Sequence, residues 1–179
     1  EYQIVLTKAQ RPDIVYTHNH SKGNTMNYGY ACINETLGSG PKKTRVTTNR
    51  SMIKRTFKEK GIKYASELAL QNVKDLIKIL AWNEENDIKF YRMSSDIFPW
   101  CSEYNYWELP HYKEIKYWLR YAGDYAKEWG HRLTFHPGPF CCLASPNFEV
   151  VEKTYKELNN HSRIFDMMGF EPSHYNKIN

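Results

Sequence analysis

The stretch Arg132–Pro146 reads RLTFHPGPFCCLASP, and its first half decides the fold. An apolar run, Leu133 to Phe135, ends at His136 and is broken at once by Pro137-Gly138-Pro139. Neither proline has an N–H to donate, so the turn cannot continue a strand ladder. The pattern predicts a strand over residues 132–136 that carries one imidazole to the end of a sheet and then turns away. In a barrel of parallel strands, the C-terminal strand ends are where chemistry is placed. A histidine that merely caps a strand fits the same pattern, so the assignment rests on the chain around it.

Downstream, Ser145-Pro146 reads as an N-cap with proline at the first helical position. The helix it opens is predicted to run to about Met168, with Val151, Tyr155, Leu158, Phe165 and Met168 inward, and to stop at Gly169 and Pro172. Tyr175 to Ile178 then reads as another strand beginning. Upstream, Ile115, Trp118, Leu119, Ala122, Tyr125, Ala126 and Trp129 form the stripe of a helix over about residues 112–129. The aromatic loop Ile97 to Pro110 precedes it, and a loop of that length is uncommon without a role. Asp87 to Met93 reads as a strand ending in Ser94-Ser95-Asp96. Before that, Ala65, Leu68, Ala69, Val73, Leu76, Ile77 and Leu80 predict a helix over about residues 63–85. Asn27 to Asn34 reads as the first strand.

Two segments lie outside this rhythm. Residues 1–25 read as an N-terminal extension with short apolar runs and a His18-Asn19-His20 pair, a weak metal-ligand pattern that a solvated loop also explains. Residues 42–63 carry Lys42, Lys43, Arg45, Arg50, Lys54, Arg55, Lys58, Lys60 and Lys63 against Glu59 alone. That bias suits contact with phosphates, and equally a solvated helix face.

Composition bounds the rest. In 179 residues, 41% are hydrophobic and 25% charged, a globular balance. The net charge of +5 permits an anionic partner without requiring one. Cys32, Cys101, Cys141 and Cys142 show no CxxC spacing, so neither a structural zinc site nor a disulfide framework is expected. The chain has no apolar run long enough to span a membrane. These features predict a soluble intracellular protein, in cytoplasm or nucleus, without a membrane partner.

Strand alternates with helix about three times and then a strand begins, which calls for a parallel sheet with right-handed crossovers. A doubly wound sheet and a (β/α)8 TIM barrel both start this way. No Gly-rich phosphate loop follows any strand, which weighs against the first. Polar residues close every strand, Asn34, Asp96 and His136 among them, which favours the second. A closed barrel takes about 250 residues. The expectation is therefore an α/β chain of TIM-barrel type with only about three β/α units, an incomplete barrel.

Several collinear runs resemble a known family: Tyr28-Gly-Tyr-Ala-Cys-Ile-Asn34, Thr48-Asn-Arg50, Trp82-Asn-Glu-Glu-Asn86, Phe90-Tyr-Arg-Met-Ser-Ser-Asp96, Phe98-Pro-Trp100, His131 to Gly138, and Ala144 to Glu152. Across about residues 26–179 the chain is similar to the N-terminal portion of the UV damage endonucleases, TIM-barrel proteins related to endonuclease IV and the sugar isomerases. The resemblance implies a DNA repair endonuclease that nicks double-stranded DNA on the 5′ side of UV photoproducts. Catalysis would be metal-assisted phosphodiester hydrolysis with a divalent metal, manganese by implication. No obligate protein partner is implied.

Position by position, His136 falls on the family's histidine metal ligand in His-Pro-Gly. Tyr30 and Asn34 fall on first-strand positions that face the damaged nucleotides. The metal-ligating histidine that follows Phe-Pro-Trp is replaced by Glu103, whose carboxylate can also bind manganese. The lesion-probing Gln and aromatic residue after His-Pro-Gly are here Pro139 and Phe140, so the amide is gone and a ring remains. Arg50, Lys54 and Arg55 join Tyr30, Asn34 and Phe140 as expected DNA contacts. The family's remaining metal ligands lie on later strands, so no catalytic residue beyond the ligands is assigned, and this polypeptide alone is expected not to cut DNA. Two alternatives stay open. One is a non-catalytic basic DNA-binding remnant or interaction protein. The other is a different metal-dependent TIM-barrel enzyme, resting on His18 and His20.

Overall fold

A computed structural model describes residues 28–178. The extension 1–25, with His18 and His20, lies outside the described residues. Three parallel strands form one sheet: β1 (Gly29–Ala31), β2 (Phe90–Ser94) and β3 (Arg132–His136). Their order across the sheet follows the chain, with Tyr30 opposite Tyr91, Tyr91 opposite Leu133, and Ser94 opposite His136. Ile178 bridges in parallel to Phe135, so the tail joins the sheet beside β3. Sequential order without a reversal is how a barrel is laid down; a doubly wound sheet would switch direction. The chain is thus an α/β protein of TIM-barrel type, with part of the barrel's strands.

Side chains alternate along a strand, and the two faces differ sharply. Tyr91, Met93, Leu133 and Phe135 are fully buried on one face. Helices α2 (Lys54–Glu85), α3 (Tyr112–Glu128) and α4 (Phe148–Met168) cover it, α3 packing between the other two. Ala65, Ala69, Val73, Leu76 and Leu80 recur at helical spacing along α2, and Ile115, Leu119, Ala122 and Ala126 along α3, and all are buried. Gly123 sets the approach of α3 to α4: a Cβ there would sit 1.9 Å from the Met168 carbonyl oxygen. The opposite face carries exposed Gly29 and Ala31, half-buried Phe90, Arg92 and Arg132, buried Ser94 and Thr134, and finally exposed His136.

Two helix starts differ from the sequence-based expectation. Helix α2 begins at Lys54, nine residues before the expected start, because the basic run consists largely of good helix formers and is anchored through Phe57. A kink at Gly61, with φ 63° and ψ −159°, separates this first segment from the rest. Helix α4 starts at Phe148, not after Ser145. The Asn147 side chain accepts the Glu149 N–H at 2.9 Å and is the cap, while Ser145 Oγ accepts the Asn147 N–H at 3.2 Å and fixes the turn before it. The inward face of α4 is Thr154, Asn160, His161, Ile164, Phe165 and Met168; Tyr155 is 64% exposed.

Two further histidines have partners within the fold. His161 is fully buried, its ring stacked on Phe135 with centroids 4.5 Å apart. His111 pairs with Ser66, whose hydroxyl lies 2.9 Å from Nδ1 and accepts the His111 N–H at 3.0 Å. Among the described residues, no helix is long and apolar enough to cross a membrane.

Candidate metal and nucleic-acid site at the strand ends

The C-terminal strand ends carry His136, with Phe140 on the loop beyond it. His136 ends β3 on the face turned away from the helices, beside Ser94 of β2, and its ring is exposed. Ser94 Oγ accepts the Asp96 N–H at 3.1 Å, which turns the chain at the end of β2. Partial burial of the Asp96 carboxyl, and then the charge of Glu157, raises its pKa from the ordinary value. The loop that follows is built on aromatic rings. Phe98 packs on Tyr106 with centroids 4.5 Å apart, and Tyr104 donates its hydroxyl proton to the Pro99 carbonyl at 2.7 Å. Burial pushes the Tyr104 and Tyr106 hydroxyls far above their ordinary range, so they serve as structural donors.

The loop after His136 is held by α4. Glu157 Oε1 accepts the Gly138 N–H at 2.6 Å, and Thr154 Oγ1 accepts the Cys142 N–H at 2.9 Å. Between these points the Cys141 N–H closes a turn onto the Gly138 carbonyl at 3.1 Å. Burial, and then its hydrogen bond to Glu157, pushes the Cys141 thiol up to about 12, so it remains protonated at neutral pH. Phe140 stands at the apex of this turn, 89% exposed.

The expected DNA contacts divide into three groups. Phe140 is open to solvent at the same end as His136. Lys54 and Arg55 are exposed in the first turn of α2, with Arg55 3.6 Å from Glu59. Their segment is docked to the strand-end loop: Phe57 stacks on Trp100 with centroids 5.7 Å apart, and Trp100 Nε1 donates to the Met52 carbonyl at 2.8 Å.

Arg50, Tyr30 and Asn34 are placed otherwise than expected. Arg50 turns inward to Asp75 at 2.6 Å and donates to the Thr47 and Arg45 carbonyls, so its guanidinium braces a loop. Tyr30 shares a sheet face with Tyr91, their centroids 5.1 Å apart, and that face lies under the helices. Its hydroxyl donates to Asn83 Oδ1 and accepts from Asn34 Nδ2, each at 2.8 Å. Asn34 is buried and caps the short helix α1 (Glu35–Gly38) by accepting the Leu37 N–H. Strand alternation explains the difference: with Gly29 and Ala31 on the open face, Tyr30 has to face the helices.

His136 and Glu103 offer a nitrogen and an oxygen donor suited to a divalent metal such as manganese. Glu103 is exposed and within electrostatic reach of Lys153 on α4. Among the described residues, no group of three or more His, Cys, Asp or Glu side chains is arranged to hold a metal. The described residues therefore do not compose a whole metal centre.

A parallel sheet in chain order, one helix-covered face and an imidazole at the strand ends define an α/β protein of the TIM-barrel class. The chain belongs to the UV-endonuclease UvdE family, whose model matches residues 26–179. A protein of Acanthamoeba polyphaga mimivirus is 38% identical over 154 residues, covering 82% of this chain and 44% of its own length. The UV-damage endonuclease of Schizosaccharomyces pombe is 37% identical over 140 residues, covering 78% of this chain and 23% of that protein. The crystal structure of SacUVDE superposes with a TM-score of 0.68 at 28% identity, over 86% of this chain and 48% of that one. The chain spans less than half the length of each of these relatives.

Proposed function

We propose that this chain provides part of the DNA-binding and metal-binding surface of a repair endonuclease that nicks double-stranded DNA 5′ of UV photoproducts. The observation that supports this reading is the exposed His136 on the open sheet face, with exposed Phe140 four residues on. His136 and Glu103 would hold a divalent metal, manganese by family, which when bound supplies charge neutralisation at a phosphate and a more acidic water. The chain's own residues bind and orient. The Phe140 ring stacks on a distorted base, and Lys54 and Arg55 meet phosphates. Two metal donors do not assemble a multinuclear centre, so the described residues carry recognition and leave chemistry to ligands they do not include. Incubation of UV-irradiated plasmid with the purified 179-residue chain and manganese is expected to give no nicks, while a UV-irradiated duplex is bound more tightly than an unirradiated one. Nicking would overturn the first statement, and equal binding the second.

The exposed cations favour a second reading, a basic DNA-binding module without chemistry. It expects salt-sensitive binding that survives His136→Ala and shows no preference for irradiated duplex.

A further inference from the structure

Helix α4 reaches back to the loop after β3 and bonds it at two points. Thr154 and Glu157 lie three residues apart and so share one face of the helix. Each accepts a backbone N–H from the loop, from Cys142 at 2.9 Å and from Gly138 at 2.6 Å. The Cys141 thiol bonds to the same Glu157 carboxylate, and the Cys141 N–H bonds to the Gly138 carbonyl at 3.1 Å. These bonds bracket Pro139 and Phe140 and leave them at the apex. Pro139 has a fixed φ, and Pro137 fixes the approach from His136. The Phe140 ring is thus 89% exposed on a turn bonded at both ends. Leu143 and Phe148, 58% and 78% exposed, extend the apolar surface along the same segment.

We propose that Thr154 and Glu157 are positioning residues that hold Phe140 as a preorganised wedge, ready to stack on a nucleobase displaced from the duplex. The proposal rests on the DNA-repair reading above and adds to it the device that makes the ring effective. A base drawn out of its stack is held by contact with an aromatic face. That contact is strongest when the ring loses little freedom on binding. Two side-chain acceptors on a helix, bonded to backbone N–H groups of the loop, remove that freedom in advance, and rigid elements place contact groups more accurately than free loops.

The test uses a duplex carrying a thymine dimer beside 2-aminopurine, whose fluorescence rises when it unstacks. With the intact chain the fluorescence rises on binding, and Phe140→Ala abolishes the rise. Glu157→Ala and Thr154→Val are each expected to weaken binding to this duplex roughly fivefold and to cut the rise in proportion. Binding of undamaged duplex and the circular dichroism stay as in the parent. Glu157→Gln and Thr154→Ser, which keep an acceptor oxygen, restore the rise. If Phe140→Ala leaves the fluorescence unchanged, the repair reading of the loop fails. If Phe140→Ala abolishes the rise but both Glu157→Ala and Thr154→Val retain it, the positioning role alone is overturned. Two distinct clamp variants are used so that a folding defect in one still leaves the other to decide.

Discussion

Arg50 Nη1 lies 2.6 Å from Asp75 Oδ2, and this pair ties the basic loop to the middle of α2. Asp75 is 1% exposed, and its carboxylate also accepts the Thr47 N–H at 3.2 Å and bonds Lys78 at 2.9 Å. Next to it, Asn72 Oδ1 accepts the Arg50 N–H, and Asn72 Nδ2 donates to the Arg50, Asp96 and Ile97 carbonyls. The loop before α2 and the turn after β2 are thus fastened to one helix face. Removing Arg50 leaves the buried Asp75 carboxylate with less compensation, from Lys78 and the Thr47 N–H. Arg50→Ala is expected to cost about 3 kcal/mol of stability. Arg55→Ala, at an exposed pair, should stay within about 0.5 kcal/mol. Urea denaturation midpoints with a common slope would check both.

The pH dependence of stability should carry the mark of His161. Burial lowers its pKa to about 4 from an ordinary 6.5, with the Glu157 charge pulling the other way. Both ring nitrogens lack a hydrogen-bond partner among the described residues. The native state holds the neutral ring while the unfolded chain takes up a proton below pH 6.5. Its contribution is therefore complete above that pH and is lost progressively as pH falls to about 4. His161→Leu should flatten this slope. His131, also lowered by burial, would retain its own share, since the Glu84 carboxylate beside it only partly offsets that effect.

Binding to undamaged duplex should depend on the first segment of α2. Lys54→Ala and Arg55→Ala, together with Lys58→Ala, are expected to make the plot of log K against log salt shallower by roughly 0.9 for each phosphate left without its cation. His136→Ala should leave that slope unchanged. A slope untouched by the three substitutions would place the phosphate-binding cations elsewhere.

Gly123→Ala tests the packing of the helix layer. Its Cβ would lie 1.9 Å from the Met168 carbonyl oxygen, and backbone cannot swing aside as a flexible side chain can. A loss of about 2 kcal/mol is expected, the usual scale for overpacking a close-packed interface. Thermal denaturation of the variant would read it directly.

How much of this was legible in the sequence depended on the kind of signal. Strand β3 forms over the predicted residues because an apolar run met Pro-Gly-Pro, and local chemistry alone stops a strand there. The start of α4 was misplaced because Ser145-Pro146 and Asn147 offer competing caps, and only the bond to the Glu149 N–H decides between them. The inward turn of Tyr30 follows from which strand face the helices cover, a tertiary fact that a three-residue strand cannot announce. Arg50 reads as one cation among nine until Asp75, a polar residue inside an apolar stripe, is seen as its partner; that buried acid was the available clue. His161 lies one turn before Phe165 on the buried side of α4, and that spacing could have moved it inward. Glu157 carried no comparable signal, since a glutamate on an amphipathic helix resembles a solvated one until the loop it holds is in place.

The kink at Gly61 has a mechanical consequence. The segment Lys54 to Lys60 is a short rigid bar, Phe57 on Trp100 is its rest, and one backbone torsion is its fulcrum. No side chain crowds that fulcrum, because a Cβ at Gly61 would meet nothing within 4 Å. The direction of the bar is therefore set by glycine's access to positive φ together with the one stacking contact of Phe57 on Trp100. Gly61→Ala would leave every cation in the chain and still aim them elsewhere, so that charge and direction become separable properties of the same helix.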